Sequence, residues 1–299
     1  MNKISFIIPV KDRDNERIQN CIDSLQSEWT EEVIIIDYGS KEKIKVKGAK
    51  IIRYIKNPIW NKSHAINLGI KKAKADYVGT VDCDMILHPK FIEEVIKVLD
   101  NKTFIYTLNT RRVNMGGFLE SFETLFAKSI FWFEKENRLN LVNNANGGIQ
   151  IYPKKWMENV RGCDENLIYW GAIDNDTFER ATMSGLKMIN LNIPILHQEH
   201  QNKKELNLPV GERVFASKVR ELKIPYLNEK FRKKQIKRNK EYWGEKVPNQ
   251  ELFLKKRPEI INEYQNILKG VSVAFKEGVN NFRINDEDYT VQVVKHEKN

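Results

Sequence analysis

Tyr77-Val78-Gly79-Thr80-Val81-Asp82-Cys83-Asp84 carries the reading of the fold. Its first five residues form an apolar run of strand length that ends abruptly in two carboxylates. Carboxylates at the end of a buried strand stand at the carboxyl edge of a sheet, where open α/β folds bind their ligands. Two oxygen donors there can hold a hard divalent cation, and the cation can hold a diphosphate. An Asp-x-Asp triplet also occurs in surface turns, so its meaning depends on the segments around it.

Upstream, the chain alternates strand and helix patterns. Ile4 to Val10 is a continuous apolar run. Asp14 can cap a helix carrying Ile18, Ile22 and Leu25 at helical spacing. Val33-Ile34-Ile35-Ile36 is a second buried strand, closed by Asp37 with Gly39 in the turn, and Ile51 to Ile55 is a third. Ser63 can cap a helix carrying Ile66, Ile70 and Ala73. Downstream, Pro89 can open a helix with Phe91, Val95 and Leu99 on one face. This alternation predicts an α/β fold with a mostly parallel sheet flanked by helices.

The 299 residues, 41% of them hydrophobic, suffice for a sizeable core. No apolar run reaches the ~18 residues that suggest a transmembrane helix. Met1-Asn2-Lys3 enters a strand pattern almost at once, so no signal peptide is expected. Cys21, Cys83 and Cys163 are too few and too scattered for a disulfide framework or a zinc site. A cytoplasmic protein is expected, peripheral at most to the inner face of the membrane.

The net charge of +10 concentrates between Lys203 and Lys246, as in Phe231-Arg232-Lys233-Lys234-Gln235-Ile236-Lys237-Arg238. Such a run is a solvated helix face, or a surface for an anionic membrane or a polyanionic substrate. Phe118, Phe122, Leu125, Phe126 and Trp132 form an aromatic stripe, read as core packing or as an acceptor platform. Val271 to Phe275, Phe282 to Ile284 and Tyr289 to Val294 alternate apolar and polar residues, and read as a small β meander. The expected division is a domain over 1–200 and a basic helical extension with that meander over 201–299.

Three segments line up with the carboxylates. The first is Phe6-Ile7-Ile8-Pro9-Val10 with Arg13, followed by Ile35-Ile36-Asp37-Tyr38-Gly39-Ser40. The second is Asn67-Leu68-Gly69-Ile70, running to Asp82-Cys83-Asp84. The third is Asn146-Gly147-Gly148, then Gly162-Cys163-Asp164-Glu165, then Tyr169-Trp170-Gly171-Ala172-Ile173-Asp174-Asn175-Asp176. In this order and spacing they resemble a family 2 glycosyltransferase of the GT-A, Rossmann-like fold. The third segment is similar to the galactosyltransferase and chondroitin-polymerase branch, whose pattern is Trp-Gly-Gly-Glu-Asp followed by an acidic or amide residue. The resemblance covers residues 3 to 200.

The resemblance implies metal-dependent transfer of a sugar from a UDP-sugar to a hydroxyl, with inversion. The acceptor is a glycan, a lipid-linked acceptor or another polyhydroxy compound. Pro9 and Val10 would line the nucleotide pocket, with Arg13 and Asn67 among the donor contacts. Asp37 would accept a hydrogen bond from uracil N3, and Asp82 would approach the ribose. Asp84 and His197 would hold Mn²⁺ or Mg²⁺, with His200 as the other candidate; an imidazole ligand favours Mn²⁺. Trp170 would offer a flat face to a sugar. Asp174 would take the acceptor proton as general base, with Asp176 as competitor. Structural roles compete: Asp37 as a turn cap, Asp174 as a helix cap, and the histidine as strand-end packing. Two departures stand out. Ile173 occupies the position of the branch's Glu, and Ala172 that of its second glycine.

Two other function classes compete. A nucleotidyltransferase on a similar sheet predicts a Gly-rich basic loop after the first strand, and Lys11-Asp12-Arg13-Asp14-Asn15 contains no glycine. A non-catalytic protein that binds polyanions or a membrane surface explains the basic run but not the Asp-x-Asp and Trp-Gly segments.

Overall fold

The computed structural model describes residues 2–57, 59–107, 110–113, 121–131, 148–199, 209–277, 281–284 and 287–290. Its strands are β1 (Ile4–Val10), β2 (Thr30–Asp37), β3 (Lys50–Arg53), β4 (Tyr77–Val81), β5 (Met85–Ile86), β6 (Thr103–Tyr106), β7 (Thr110–Val113), β8 (Ile130–Phe131), β9 (Ile149–Pro153), β10 (Lys187–Ile189), β11 (Ile195–Gln198), β12 (Asn281–Ile284) and β13 (Glu287–Thr290). Its helices are α1 (Asn15–Ser24), α2 (Lys62–Ile70), α3 (Phe91–Val98), α4 (Phe122–Ala127), α5 (Lys154–Asn159), α6 (Ile173–Met183), α7 (Val210–Arg232), α8 (Glu251–Leu254) and α9 (Arg257–Glu277).

Seven strands form the central sheet in the order β10-β6-β9-β4-β1-β2-β3. β9 is antiparallel to both its neighbours, while β1, β2, β3 and β4 run parallel to one another, as do β6 and β10. The chain leaves β1 for β2 and β3 on one side and returns to β4 on the other. The carboxyl ends of β1 and β4 therefore flank the point where the winding reverses, the usual place for a ligand. Every residue of β1 and β4 is buried. That is why these strands read as unbroken apolar runs.

Local chemistry fixes the flanking helices. Asp14 caps α1 by accepting from Arg17 N at 2.8 Å, and Ile18, Cys21, Ile22 and Leu25 join the core against the sheet. The cap of α2 is Asn61 rather than Ser63: its Oδ1 accepts from His64 N at 2.9 Å. α2 approaches β1 closely through Gly69, where a Cβ would lie 2.4 Å from Ile7 Cγ2. A second sheet, β5-β11-β7-β8, follows the first carboxylate turn.

The chain divides into two compact units, Met1–Gln201 with Leu222–Gln250, and Asn202–Glu221 with Glu251–Asn299. Residues 222–250 thus return to the first unit instead of continuing an extension that starts at 201. Their buried side chains explain it: Lys223, Leu227, Arg238 and Trp243 are each at most 5% exposed. Lys223 and Arg238 belong to the basic run, so that run is not wholly an outward face. Pro225 lies within α7 and removes the bond to the carbonyl of Glu221, where the division falls. The second unit buries Phe215, Val219, Phe253 and Ile260, and pairs Arg257 with Glu212.

The expected meander differs. Val271 to Phe275 lies in α9, and β12 and β13 form a two-stranded hairpin with Phe282 opposite Tyr289. Residues 291–294 lie outside the described residues. In the aromatic stripe Phe122 and Leu125 are buried while Phe126 is 37% exposed; Phe118 and Trp132 lie outside the described residues.

Candidate active site

Two carboxylates and a lysine meet at the carboxyl edge of β4. Asp82 follows that strand, and its amide donates to Gly148 O at 2.8 Å, which brings the third sequence segment alongside. Asp174 sits in the first turn of α6. Lys62, the first residue of α2, stands between them. Its Nζ lies 2.7 Å from Asp82 Oδ1 and 3.7 Å from Asp174 Oδ1. Burial opposes the charge on Lys62, but Asp174, Asp82 and Asp84 outweigh it and raise its pKa above the usual lysine value. Burial also raises the pKa of Asp174, opposed by Lys62 and reinforced by Asp82. Gln150, from β9, donates to Asp174 Oδ1 at 3.0 Å and fixes that carboxylate's direction.

The second cluster is Asp84 with His197. Met85 pairs with His197 across antiparallel β5 and β11, and Gln198 N donates to Asp84 O at 2.8 Å. This pairing sets His197 Nε2 3.5 Å from Asp84 Oδ1. Adjacent ligands on a six-coordinate ion with bonds of about 2.1–2.2 Å lie about 3 Å apart. At 3.5 Å the carboxylate oxygen and the imidazole nitrogen are about half an ångström wider than that spacing, so a small closure would let both serve one divalent transition-metal ion. His200 lies outside the described residues.

At the carboxyl ends of β1 and β2, Pro9 and Val10 close the first strand, and Val10 O accepts from Tyr38 N at 2.8 Å. Asp37 ends β2 and is 1% exposed. Its Oδ1 accepts from Ser40 N at 2.8 Å and its Oδ2 lies 3.6 Å from Arg53 Nε, so it does cap its turn. Arg13 lies at the surface beyond this edge, donating to Asp12 O at 3.1 Å.

Asn67 is brought elsewhere. It is fully buried; its Oδ1 accepts from Cys163 N, and its Nδ2 donates to Cys163 O and Glu165 Oε1. The amide ties α2 to the Gly162–Glu165 segment and does not join either acidic cluster. Glu165 in turn accepts from Gly244 N, Asn249 N and Asn249 Nδ2.

The loop from Tyr169 to Asp174 is held from two sides. Tyr169 N donates to Trp60 O at 2.8 Å, beside the start of α2. Lys223, only 1% exposed, donates from Nζ to Trp170 O at 2.8 Å and Gly171 O at 3.2 Å. Tyr169, Gly171 and Ala172 all have positive φ, at 60°, 84° and 69°. Glycine relieves this conformation at 171, but Ala172 adopts it with a Cβ. Trp170 is half-buried, its ring 6.2 Å from that of Tyr169. Asp176 is fully buried and bonded to Arg180 and Arg238.

Sequence reasoning missed Lys62, Gln150 and Lys223. For Lys62 a signal existed. A cation in the first turn of a helix opposes the macrodipole, which makes sense only if carboxylates face it.

Two family profiles match this chain. Glycosyl transferase family 2 matches residues 5–159, and the N-terminal domain of galactosyltransferase matches residues 133–203. The chain is 27% identical over 253 residues to a hyaluronan synthase of Pasteurella multocida, covering 71% of this chain and 26% of that one. It is 25% identical over 255 residues to a chondroitin synthase of Escherichia coli, covering 72% of this chain and 37% of that one. It therefore spans well under half the length of these relatives. A mannosyltransferase of Pyrobaculum calidifontis, solved with GDP-Man and Mn²⁺, shares the fold. The TM-score is 0.50 at 12% identity, covering 75% of this chain and 64% of that one.

Proposed function

The chain belongs to glycosyl transferase family 2, and from that premise we propose that it moves a sugar from a UDP-sugar to a hydroxyl of a glycan acceptor, with inversion and with help from a divalent cation. The observation that carries this reading is the Asp82–Lys62–Asp174 array, with Nζ 2.7 Å and 3.7 Å from the two carboxylates, at the reversal point of the sheet.

Each carboxylate has a separate task. Asp84 and His197 would hold Mn²⁺ or Mg²⁺; when bound, the cation neutralises charge gathering on the departing diphosphate. Asp82 contacts the donor's ribose, and Pro9, Val10 and Asp37 border the base. Asp174 takes the proton of the attacking hydroxyl as the new glycosidic bond forms and the bond to diphosphate breaks. A base with a raised pKa holds that proton more strongly. Lys62 keeps the carboxylate ionised before attack, and Gln150 aims it. Trp170 supplies a flat face for the acceptor sugar. No helix among the described residues is long and apolar enough to cross a membrane.

The test is a panel of UDP- and GDP-sugars, scored for nucleotide release with Mn²⁺, with Mg²⁺ and with chelator. Cation-dependent turnover of a UDP-sugar is expected. Asp174→Asn should lose transfer and still bind the donor in calorimetry, because the amide keeps the shape but takes no proton. Asp174→Asn at the wild-type rate would assign the base to another group.

A further inference from the structure

We propose that Lys223 is a positioning residue for the acceptor half of the site, acting through the backbone of the Trp170–Asp174 turn. The inference rests on reading Trp170 as the sugar platform and Asp174 as the base. Lys223 lies beyond both matched profiles, which end at residues 159 and 203.

A lysine ammonium that is 1% exposed is costly to bury. Here its donors reach consecutive carbonyls, those of Trp170 and Gly171. These carbonyls belong to a stretch in which Tyr169, Gly171 and Ala172 all have positive φ. Such a turn has no regular backbone ladder to hold it. An ammonium bonded to both carbonyls fixes two successive peptide planes, and with them the direction of the Trp170 ring. Asp174 follows two residues after Ala172, in the first turn of α6.

The helix that carries Lys223 is itself anchored. One turn further on, Tyr226 donates to Asp164 Oδ2 at 2.6 Å. Arg238 then bonds Asp176 at 2.7 Å, just past the turn. The 222–250 segment thus grips residues on both sides of the Trp170 turn, and Lys223 grips the turn itself. Lys223 Nζ bonds the Trp170 turn, whereas Asp82 and Asp84 are approached by Lys62 and His197. Donor and acceptor binding should therefore respond differently to Lys223.

The experiment compares Lys223→Met, Lys223→Gln and Lys223→Arg in the full chain. Protein labelled with 5-fluorotryptophan is followed by ¹⁹F NMR, and the Trp170 line is assigned with Trp170→Phe. The expected result is a Trp170 line that moves or splits in Lys223→Met, moves less in Lys223→Gln, and returns toward wild type in Lys223→Arg. In initial-rate assays with a hyaluronan tetrasaccharide as acceptor probe, KM for the acceptor should rise about tenfold in Lys223→Met, the scale of one lost charge-assisted hydrogen bond. Donor affinity by calorimetry should stay within about twofold, a difference too small to signify a lost bond. A Trp170 line unmoved in all three variants overturns the inference, whether or not that oligosaccharide is accepted. So does a loss of thermal stability with acceptor KM unchanged. Transfer surviving Asp174→Asn would instead overturn the assignment of the base and leave the NMR result standing.

Discussion

Arg238 sits in the most basic stretch of the chain and yet is 3% exposed. Its Nε and Nη2 donate to Asp176 Oδ1 at 3.1 Å and 2.7 Å, and its Nε lies 3.4 Å from Asp164 Oδ2. Nη1 donates to Gln235 O. Arg238→Met keeps most of the stem and removes every one of these donors. Asp176 would keep Arg180, bonded at 2.9 Å, and Asp164 would keep Tyr226 at 2.6 Å. Removing one partner of a buried ion pair typically destabilises by about 3–5 kcal/mol, because the charge left behind stays desolvated. That is a large share of a total stability of about 5–15 kcal/mol. For a domain of this size it corresponds to a fall in Tm of roughly 6–20 °C.

The assay is urea denaturation followed by far-UV circular dichroism, with thermal melts alongside. A variant carrying Arg232→Gln, Lys233→Gln, Lys234→Gln and Lys237→Gln is the control, since all four positions are exposed. Each should change stability by no more than about 0.5 kcal/mol. The pH dependence carries a sign. Burial already raises the pKa of Asp164, with Asp176 adding to it and Tyr226 and Arg238 opposing. Without Arg238 it rises further. A carboxylate whose folded-state pKa is raised favours the folded state at low pH and loses that advantage as pH climbs through the folded value. The deficit of Arg238→Met should therefore be larger at neutral pH than in acid. A loss no larger than that of an ordinary surface substitution, about 0.5 kcal/mol, would refute the reasoning.

Other predictions follow from single contacts. Lys62→Met removes the cation beside Asp174, so the acid limb of kcat/KM against pH should move to higher pH; an unmoved limb would show that Lys62 does not act on the base. His64 is buried between Tyr38 Oη, 2.8 Å from Nδ1, and Glu245 O, 2.7 Å from Nε2, and burial lowers its pKa. The unfolded chain then binds more protons, so stability should fall as pH drops below about 6.5, and His64→Gln should flatten that fall in denaturation at several pH values. Ala172→Gly removes a Cβ held at φ 69° and should stabilise by about 1 kcal/mol in urea melts; a destabilised variant would count against strain at this turn.

The legible parts of the fold are those in which local pattern and long-range packing agree. Ile4–Val10 and Tyr77–Val81 read as buried strands because every residue in them is buried. Asp14 reads as a cap because its partner, Arg17 N, is three residues away. The contacts that escaped are long in sequence. Lys62 meets Asp174, Lys223 meets Trp170 and Arg238 meets Asp176, and no local spacing announces such a pair. Asn67 stands in a recognised motif, but its amide is spent on Cys163 and Glu165. Val271 to Phe275 alternates like a strand and still continues α9, because a run of five residues is too short for period alone to separate helix from strand.

The two departures in the Trp170 turn bear on how the site divides its charge. Ile173 is 2% exposed, and its carbonyl accepts from Thr177 in the first turn of α6. A glutamate at that depth would bring a second desolvated carboxylate beside Asp174, and like charge raises a pKa further. With isoleucine there, the repulsion on Asp174 comes from Asp82, and Lys62 stands between the two. Asp176, in the first turn of the same helix, is bonded to Arg180 and Arg238. On the proposed reading of Asp174 as the base, Lys62 and the Gln150 amide are the groups that act on it. Loss of Asp174 should abolish transfer, whereas loss of Asp176 should register first as lost stability.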